Sequence, residues 1–272
     1  MLKMINKKDI ELIINFYQSI KLFDEDNIRQ IYESLEDKLL IFASIERDKI
    51  TSLLSVSLIN NNYHMEKVLY ENYDEDLIKD LISYTITQLR QDKDRGLNII
   101  YDNFPYDDVM HEIMLEQGFK CNNINLSYQN INDKQELISS SISLNDKSDD
   151  VKIYIYKRLI EEIKSNDLYL GTNSLIPDIS TIRLENINVA TIRDSSKEVC
   201  GTIRFSLVSD FILLDSLYAS NEENYRALIN LVKNLTLRRL EISISPSRVN
   251  LIKLLENMGF QKLQADYFFK LN

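Results

Sequence analysis

Tryptophan is absent from the chain, and glycine, proline and cysteine are scarce, at five, three and two among 272 residues. Few Gly and Pro leave little of the turn chemistry on which sandwiches, propellers, collagen-like chains and linker-rich chains depend, so elements must be long and loops plain. Cys121 and Cys200 supply no disulfide framework and no metal-ligand spacing; they read as small core residues of a protein kept in a reducing, cytoplasmic setting. The two histidines, His64 and His111, lie far apart with no Cys or carboxylate at ligand spacing, so no metal is expected, and His111 is expected on the polar side of its helix. No apolar run approaches the ~20 residues of a membrane span. The opening MLKMINKKDIELIINFY carries charges at helical spacing and does not read as a signal peptide. Ser-His-Asp groupings, nucleophile elbows and P-loops are missing too.

What is present is a globular composition, 44% hydrophobic and 27% charged, on a length that suits two domains. The net charge of −10 argues against nucleic acid as a partner, since phosphate contacts need clustered Lys and Arg. That charge is uneven. Residues 1–150 carry 16 basic and 28 acidic side chains, a balance of −12, whereas the rest carry 16 and 14, a balance of +2. Either one half has a more acidic solvated face or the halves meet different ligands.

Periodicity predicts helices over 7–20 and 26–35, the latter capped by Asp24 or Asp26. Three short apolar strands follow at 39–46, 50–58 and 63–70. A long amphipathic helix opens at Asp74, then come a buried strand at 97–101, a helix at 107–117 stopped by Gly118, and a strand at 123–128. Between 130 and 150 the pattern dissolves into a Ser-, Asp- and Asn-rich connection. The order then restarts: a helix at 155–164, strands at 189–193, 199–207 and 211–218, a helix at 222–237, a strand at 240–245, a helix at 247–257 and a strand at 265–271.

The two halves align as an internal repeat. MEKVLYENYDEDLIKDLISY matches LLDSLYASNEENYRALINLV, with Leu69 and Tyr70 on Leu217 and Tyr218, 148 positions apart. IMLEQGFKCNNINLSY matches KLLENMGFQKLQADYFF, with Gly118 and Phe119 on Gly259 and Phe260, 141 apart. The difference of 7 corresponds to the extra charged turn RQDKDRG of the first copy. The expected bounds are 1–131, a linker over 132–150, and 151–272.

Three antiparallel strands, a helix, a buried strand, a helix ending in Gly-Phe and a last strand resemble the GNAT superfamily of acyl-CoA N-acyltransferases. The resemblance covers nearly the whole chain. It implies an α+β fold of two tandem GNAT-like domains, each a mostly antiparallel central sheet flanked by helices. It also implies acetyl-CoA as co-substrate and an amine acceptor, on a small molecule or a peptide.

Two departures qualify the activity so implied. The family's pyrophosphate loop is Gly-rich, letting backbone N–H groups and a helix N-terminus approach the anion; here the stretch reads ENYDEDLIKDL in the first copy and ASNEENYRALI in the second. Glu71, Asp74, Glu75 and Asp76 oppose a phosphate in the first. In the second, Ser220, Asn221 and Asn224 can donate hydrogen bonds and Arg226 can supply charge, despite Glu222 and Glu223, so Leu217, Tyr218, Ala219, Asn224, Tyr225 and Arg226 are the candidate cofactor contacts. The family's general-acid Tyr, four residues before the Gly of Gly-Phe, is replaced by Met114 and Leu255. Asp215 is the candidate base, and Tyr267 or Tyr218 the candidate substitute acid. The competing reading is a non-catalytic binding or scaffolding protein that has lost the cofactor loop.

Overall fold

Mostly apolar runs buried continuously over 41–45 and 52–54 are what strands in the interior of a covered sheet require, and Leu39–Glu46 and Lys49–Ile59 form strands β2 and β3. The computed structural model describes residues 1–5, 9–21, 39–91, 97–129, 142–165 and 178–271. It divides into two compact units, Met1–Cys121 with Ala265–Asn272, and Asn122–Gln264. The helix expected over 26–35 and most of the expected connection lie outside the described residues.

In the first unit β1 (Leu2–Ile5), β2, β3 and β4 (Asn62–Met65) pair antiparallel in sequence, and β5 (Leu69–Tyr70) continues along β3. The run expected as one strand over 63–70 is therefore broken at Glu66–Val68. Helix α1 (Ile10–Ser19) buries Ile13, Ile14 and Phe16 against Ile41, Ala43 and Leu53. Helix α2 (Glu75–Gln91) buries Ile78, Leu81, Ile82, Ile86 and Leu89 along one stripe. Strand β6 (Asn98–Asn103) lies parallel to β4. Helix α3 (Asp108–Glu116) is capped by Asp107, whose side chain accepts from the Val109 and Met110 N–H groups.

The second unit repeats this plan. β8 (Ile142–Leu144), β9 (Asn188–Arg193), β10 (Val199–Val208) and β11 (Phe211–Ala219) pair antiparallel, and β12 (Arg239–Ile244) lies parallel to β11. Helix α4 (Asp149–Ser165) starts six residues earlier than periodicity suggests, because Val151 belongs to its buried stripe with Ile155 against Val189 and Tyr218. Helices α5 (Glu222–Leu235) and α6 (Val249–Asn257) complete the layer.

The last strand of each half sits in the unit of the other half. β7 (Lys120–Tyr128) runs antiparallel to β12 from Ile124 to Tyr128, and β13 (Gln261–Lys270) runs antiparallel to β6 from Ala265 to Lys270. In both copies a Gly of positive φ, +86° at Gly118 and +89° at Gly259, ends the helix and turns a buried Phe back onto the core. Phe119 meets Phe269 of the exchanged strand at 5.1 Å between ring centroids, and Phe260 meets Tyr128 at 5.3 Å.

Candidate functional site

In the second unit two irregularities of β11 coincide. Arg204 of β10 faces Ser216 while Phe205 faces Leu214, so Asp215 is the extra residue of a β-bulge. Parallel pairing with β12 covers only Phe211–Leu214 against Arg239–Ile242 and stops at the same point. A bulge re-aims a side chain and ends a ladder. Here it leaves the edge of β11 beyond Leu214 open on a cavity of about 180 Å³ whose walls include Asp215, Leu217, Tyr218, Ser243, Arg248 and, from α4, Glu162.

The carboxylate of Asp215 makes no hydrogen bond among the described residues. It pairs with Arg204, whose Nη2 lies 4.0 Å from Oδ2. Also lining the cavity, Arg248 donates from Nη2 to the Leu217 carbonyl at 2.5 Å and to Tyr225 Oη at 3.2 Å. The guanidinium lies over the Tyr218 ring at 5.0 Å, with Nη1 at 3.7 Å from Glu162 Oε2. Tyr218 Oη donates to Glu162 Oε2 at 3.0 Å. Burial first, and then the Glu162 charge, push the Tyr218 hydroxyl above its ordinary pKa, so it stays a proton-bearing donor at neutral pH.

At the start of α5, the Asn221 side chain caps the helix by accepting from the Asn224 N–H at 2.9 Å. Asn224 Nδ2 donates to Ser220 Oγ at 3.1 Å and to Cys200 Sγ at 3.4 Å. The cap takes one N–H, so those of Glu222 and Glu223 stay directed out of the helix start, where an anion is favoured. Arg226 spends its charge locally, with Nη2 at 2.8 Å from Glu222 Oε1. A groove of about 430 Å³ runs from here to α6, lined by Asn221, Tyr225 and Lys253 among others. Of the candidate contacts, Leu217 and Tyr218 therefore wall the cavity and Tyr225 the groove. Asn224 is held in the cap network, Arg226 in its ion pair, and Ala219 ends β11.

The matching place in the first unit differs in charge. Asp74 caps α2 with a carboxylate, accepting from the Leu77 N–H at 3.1 Å. Glu75 and Glu116 share Lys79, at 2.8 and 2.7 Å. Lys67 stands 148 positions before Asp215.

Tyr267 belongs to the first unit and Asp215 to the second. Tyr267 is 1% exposed, and its hydroxyl is hydrogen-bonded to His111 Nδ1. His111 is thus not on a solvated helix face, as expected, but half-buried against the exchanged strand. The cysteines are corrected likewise: both are half-buried thiols outside any disulfide rather than core residues, and burial, with Asp266 behind it, pushes the Cys121 thiol up to about 11. Among the described residues no group of three or more His, Cys, Asp and Glu could hold a metal ion, and no helix is long and apolar enough to cross a membrane.

Sequence reasoning missed Glu162 and Arg248. Arg248 directly precedes α6 after the run SISPS, where a long cation has no helical role, and that was the only local signal.

No protein-family model matches the chain, and no curated protein matches it. Among solved structures it is similar to the GCN5-related N-acetyltransferase from Sphaerobacter thermophilus, with 11% identity over 100% of this chain and 96% of that one and a TM-score of 0.46. It is also similar to a tandem GNAT protein from the clavulanic acid biosynthesis pathway, with 9% identity over 100% and 99% and a TM-score of 0.39. The ribosomal-protein-alanine N-acetyltransferase from Brucella melitensis covers 46% of this chain with 88% of its own, at 12% identity and a TM-score of 0.39.

Proposed function

We propose that the chain is an acyl-CoA N-acyltransferase acting on an amine, with the second unit as the active one. The observation that carries this reading is the bulge at Asp215, which sets a carboxylate without hydrogen bonds among the described residues beside an open strand edge. Acetyl-CoA, when bound, supplies an activated acyl carbonyl and a thiolate leaving group. The edge of β11 beyond Leu214 opens on the cavity, and the outward N–H groups of Glu222 and Glu223 suit the cofactor's phosphates better than the carboxylate-capped start of α2 does.

Asp215 is the group that accepts the proton of the incoming amine, with Arg204 Nη2 at 4.0 Å from its Oδ2. Leu255, fully buried, has no proton to give, so the protonation of the leaving sulfur falls to water or to the Tyr218 hydroxyl. The second reading, a non-catalytic binding protein, is favoured by one feature: Arg226 is already paired with Glu222 beside a loop without glycine.

Calorimetric titration with acetyl-CoA and CoA decides between them. Binding in the micromolar to millimolar range is expected, and no heat at ~5 mM ligand defeats the enzyme reading.

A further inference from the structure

Arg248 stands where a helix start favours a different residue. It is the N-cap of α6, with φ −87° and ψ 50°, and its side chain makes no capping hydrogen bond. Ser, Thr, Asp and Asn are the residues that satisfy the free N–H groups of such a turn, and a cation there opposes the helix dipole. The first unit follows that rule: 141 positions earlier Asp107 caps α3, accepting from the Val109 and Met110 N–H groups. Arg248 forgoes the cap, and its side chain reaches across to β11 instead.

Pairing of β11 with β12 ends at Leu214 and Ile242, so the carbonyl of Leu217 has no ladder partner on that side. Arg248 Nη2 donates to it at 2.5 Å and spends its other hydrogen on Tyr225 Oη. Nη1 is ion-paired with Glu162 Oε2 at 3.7 Å, and the guanidinium lies over the Tyr218 ring. One side chain thus ties the start of α6 to β11, α5 and α4, and it stands in the wall of the cavity that opens where the strands part. At about 180 Å³ that cavity is below the ~300 Å³ at which drug-sized ligand sites begin.

We infer that Arg248 is an autoinhibitory plug: its guanidinium, held on the Leu217 carbonyl, closes the cavity, and the amide-bearing chain of an acyl donor enters only when the guanidinium swings away toward Glu162. This rests on the acyltransferase reading of the same cavity. The strand edge accounts for the competition, since an extended chain lying along β11 donates its own N–H to the acceptor that Arg248 occupies. Glu162, already beside Nη1, keeps the cation compensated in both positions. A plug closed in ~90% of molecules reduces the apparent affinity for the donor ~10-fold. An arginine that instead recognised the donor's phosphates would act with the opposite sign, its loss weakening binding.

The test is calorimetry with acetyl-CoA and with pantetheine, which has the amide chain but no phosphate, on the wild-type chain, Arg248→Asn and Arg248→Lys. Asn restores a capping side chain while it removes the plug, so thermal melts should show that variant at least as stable as wild type. Arg248→Asn is expected to bind both ligands at least ~10-fold more tightly than wild type, and Arg248→Lys, which keeps the charge but not the fork, about 3-fold more tightly. Unchanged or weaker binding by Arg248→Asn would mark Arg248 as a strut or a phosphate contact and overturn the proposal; should that variant not fold, the absence of any gain in Arg248→Lys does so. Equal acetyl-CoA affinities for all three chains would remove the plug and leave the acyltransferase reading standing. A gain in pantetheine binding with no binding of acetyl-CoA at ~5 mM would do the reverse, and no binding of either ligand to any of the chains would remove both.

Discussion

The two units are copies of one plan in which the same positions hold opposite charges. Where β11 bulges at Asp215 the first unit has Lys67, and where neutral Asn221 caps α5 the first unit caps α2 with Asp74, followed by Glu75 and Asp76. The backbone plan survives either choice, because it depends on strand pairing, buried stripes and a Gly helix stop rather than on these surface charges. The chemistry does not survive both. A carboxylate can take a proton from an amine, whereas a lysine, charged at neutral pH, repels an ammonium; and the start of α2 combines the favourable end of a helix dipole with several negative charges that cancel it.

The largest expected effect tests that contrast directly. Asp215→Asn should lower turnover by roughly 10²-fold, the usual scale for loss of a general base, with KM for the acyl donor little changed. Lys67→Ala, its counterpart in the first unit, should leave turnover within about twofold. Steady-state kinetics on both variants, with circular dichroism to verify folding, checks this. Equal losses would mean that the units are not divided into active and inactive.

Next in size is the helix stop shared by the copies. An L side chain at positive φ costs about 1–2 kcal/mol. At Gly259 an added Cβ also comes within 3.2 Å of Tyr128 Cε2, against 3.4 Å from Phe269 Cε2 at Gly118. Gly259→Ala should therefore destabilise its unit by about 2–3 kcal/mol and Gly118→Ala by about 1–2 kcal/mol. Urea unfolding followed by aromatic fluorescence can rank them; the reverse order would show that the two ring contacts are not equivalent.

Those aromatic contacts mark the limit of what the sequence reveals. The short apolar run Leu39–Glu46, the stripe along α2 and the paired Gly118 and Gly259 are local patterns, and each forms the predicted element. The register of the bulge is not local: Asp215 becomes the extra residue only when β10 and β11 are laid side by side. Nor does the alternation of Gln261–Lys270 say which sheet the strand joins, since β6 and β12 present similar Ile- and Tyr-rich or Ile- and Leu-rich edges. The short strand Leu2–Ile5 was invisible beneath the helical charge spacing around it. Glu162 and Arg248 meet only in three dimensions, 86 positions apart, so the acidic and basic sides of the cavity lay outside any motif.

The smallest expected effect separates the units by pH. Each exchanged strand is faced by a cation from the long helix of its unit, Arg90 over Phe269 at 5.2 Å and Lys233 over Tyr128 at 3.7 Å. Arginine stays protonated throughout, so the first unit gains no pH dependence from its pair. Lys233 is 3% exposed and donates to the Met258 carbonyl at 2.8 Å, and burial pulls its pKa down to about 8. A base whose folded pKa lies below its unfolded value binds protons more weakly in the native state. The charged form therefore costs stability at all pH values below about 8, and the cost is lifted as pH rises from about 8 toward 10.5. The Tyr128 face and the Met258 carbonyl offset part of it, leaving about 1 kcal/mol at pH 7. Lys233→Met should accordingly raise the unfolding free energy by that amount at pH 7 and by progressively less up to pH 10, whereas Arg90→Met should shift stability by the same increment at both pH values. Denaturant melts of the two variants against wild type at pH 7 and pH 10 measure the difference, and a pH-independent shift for Lys233→Met would mean that the aromatic face, rather than burial, sets the protonation of this lysine.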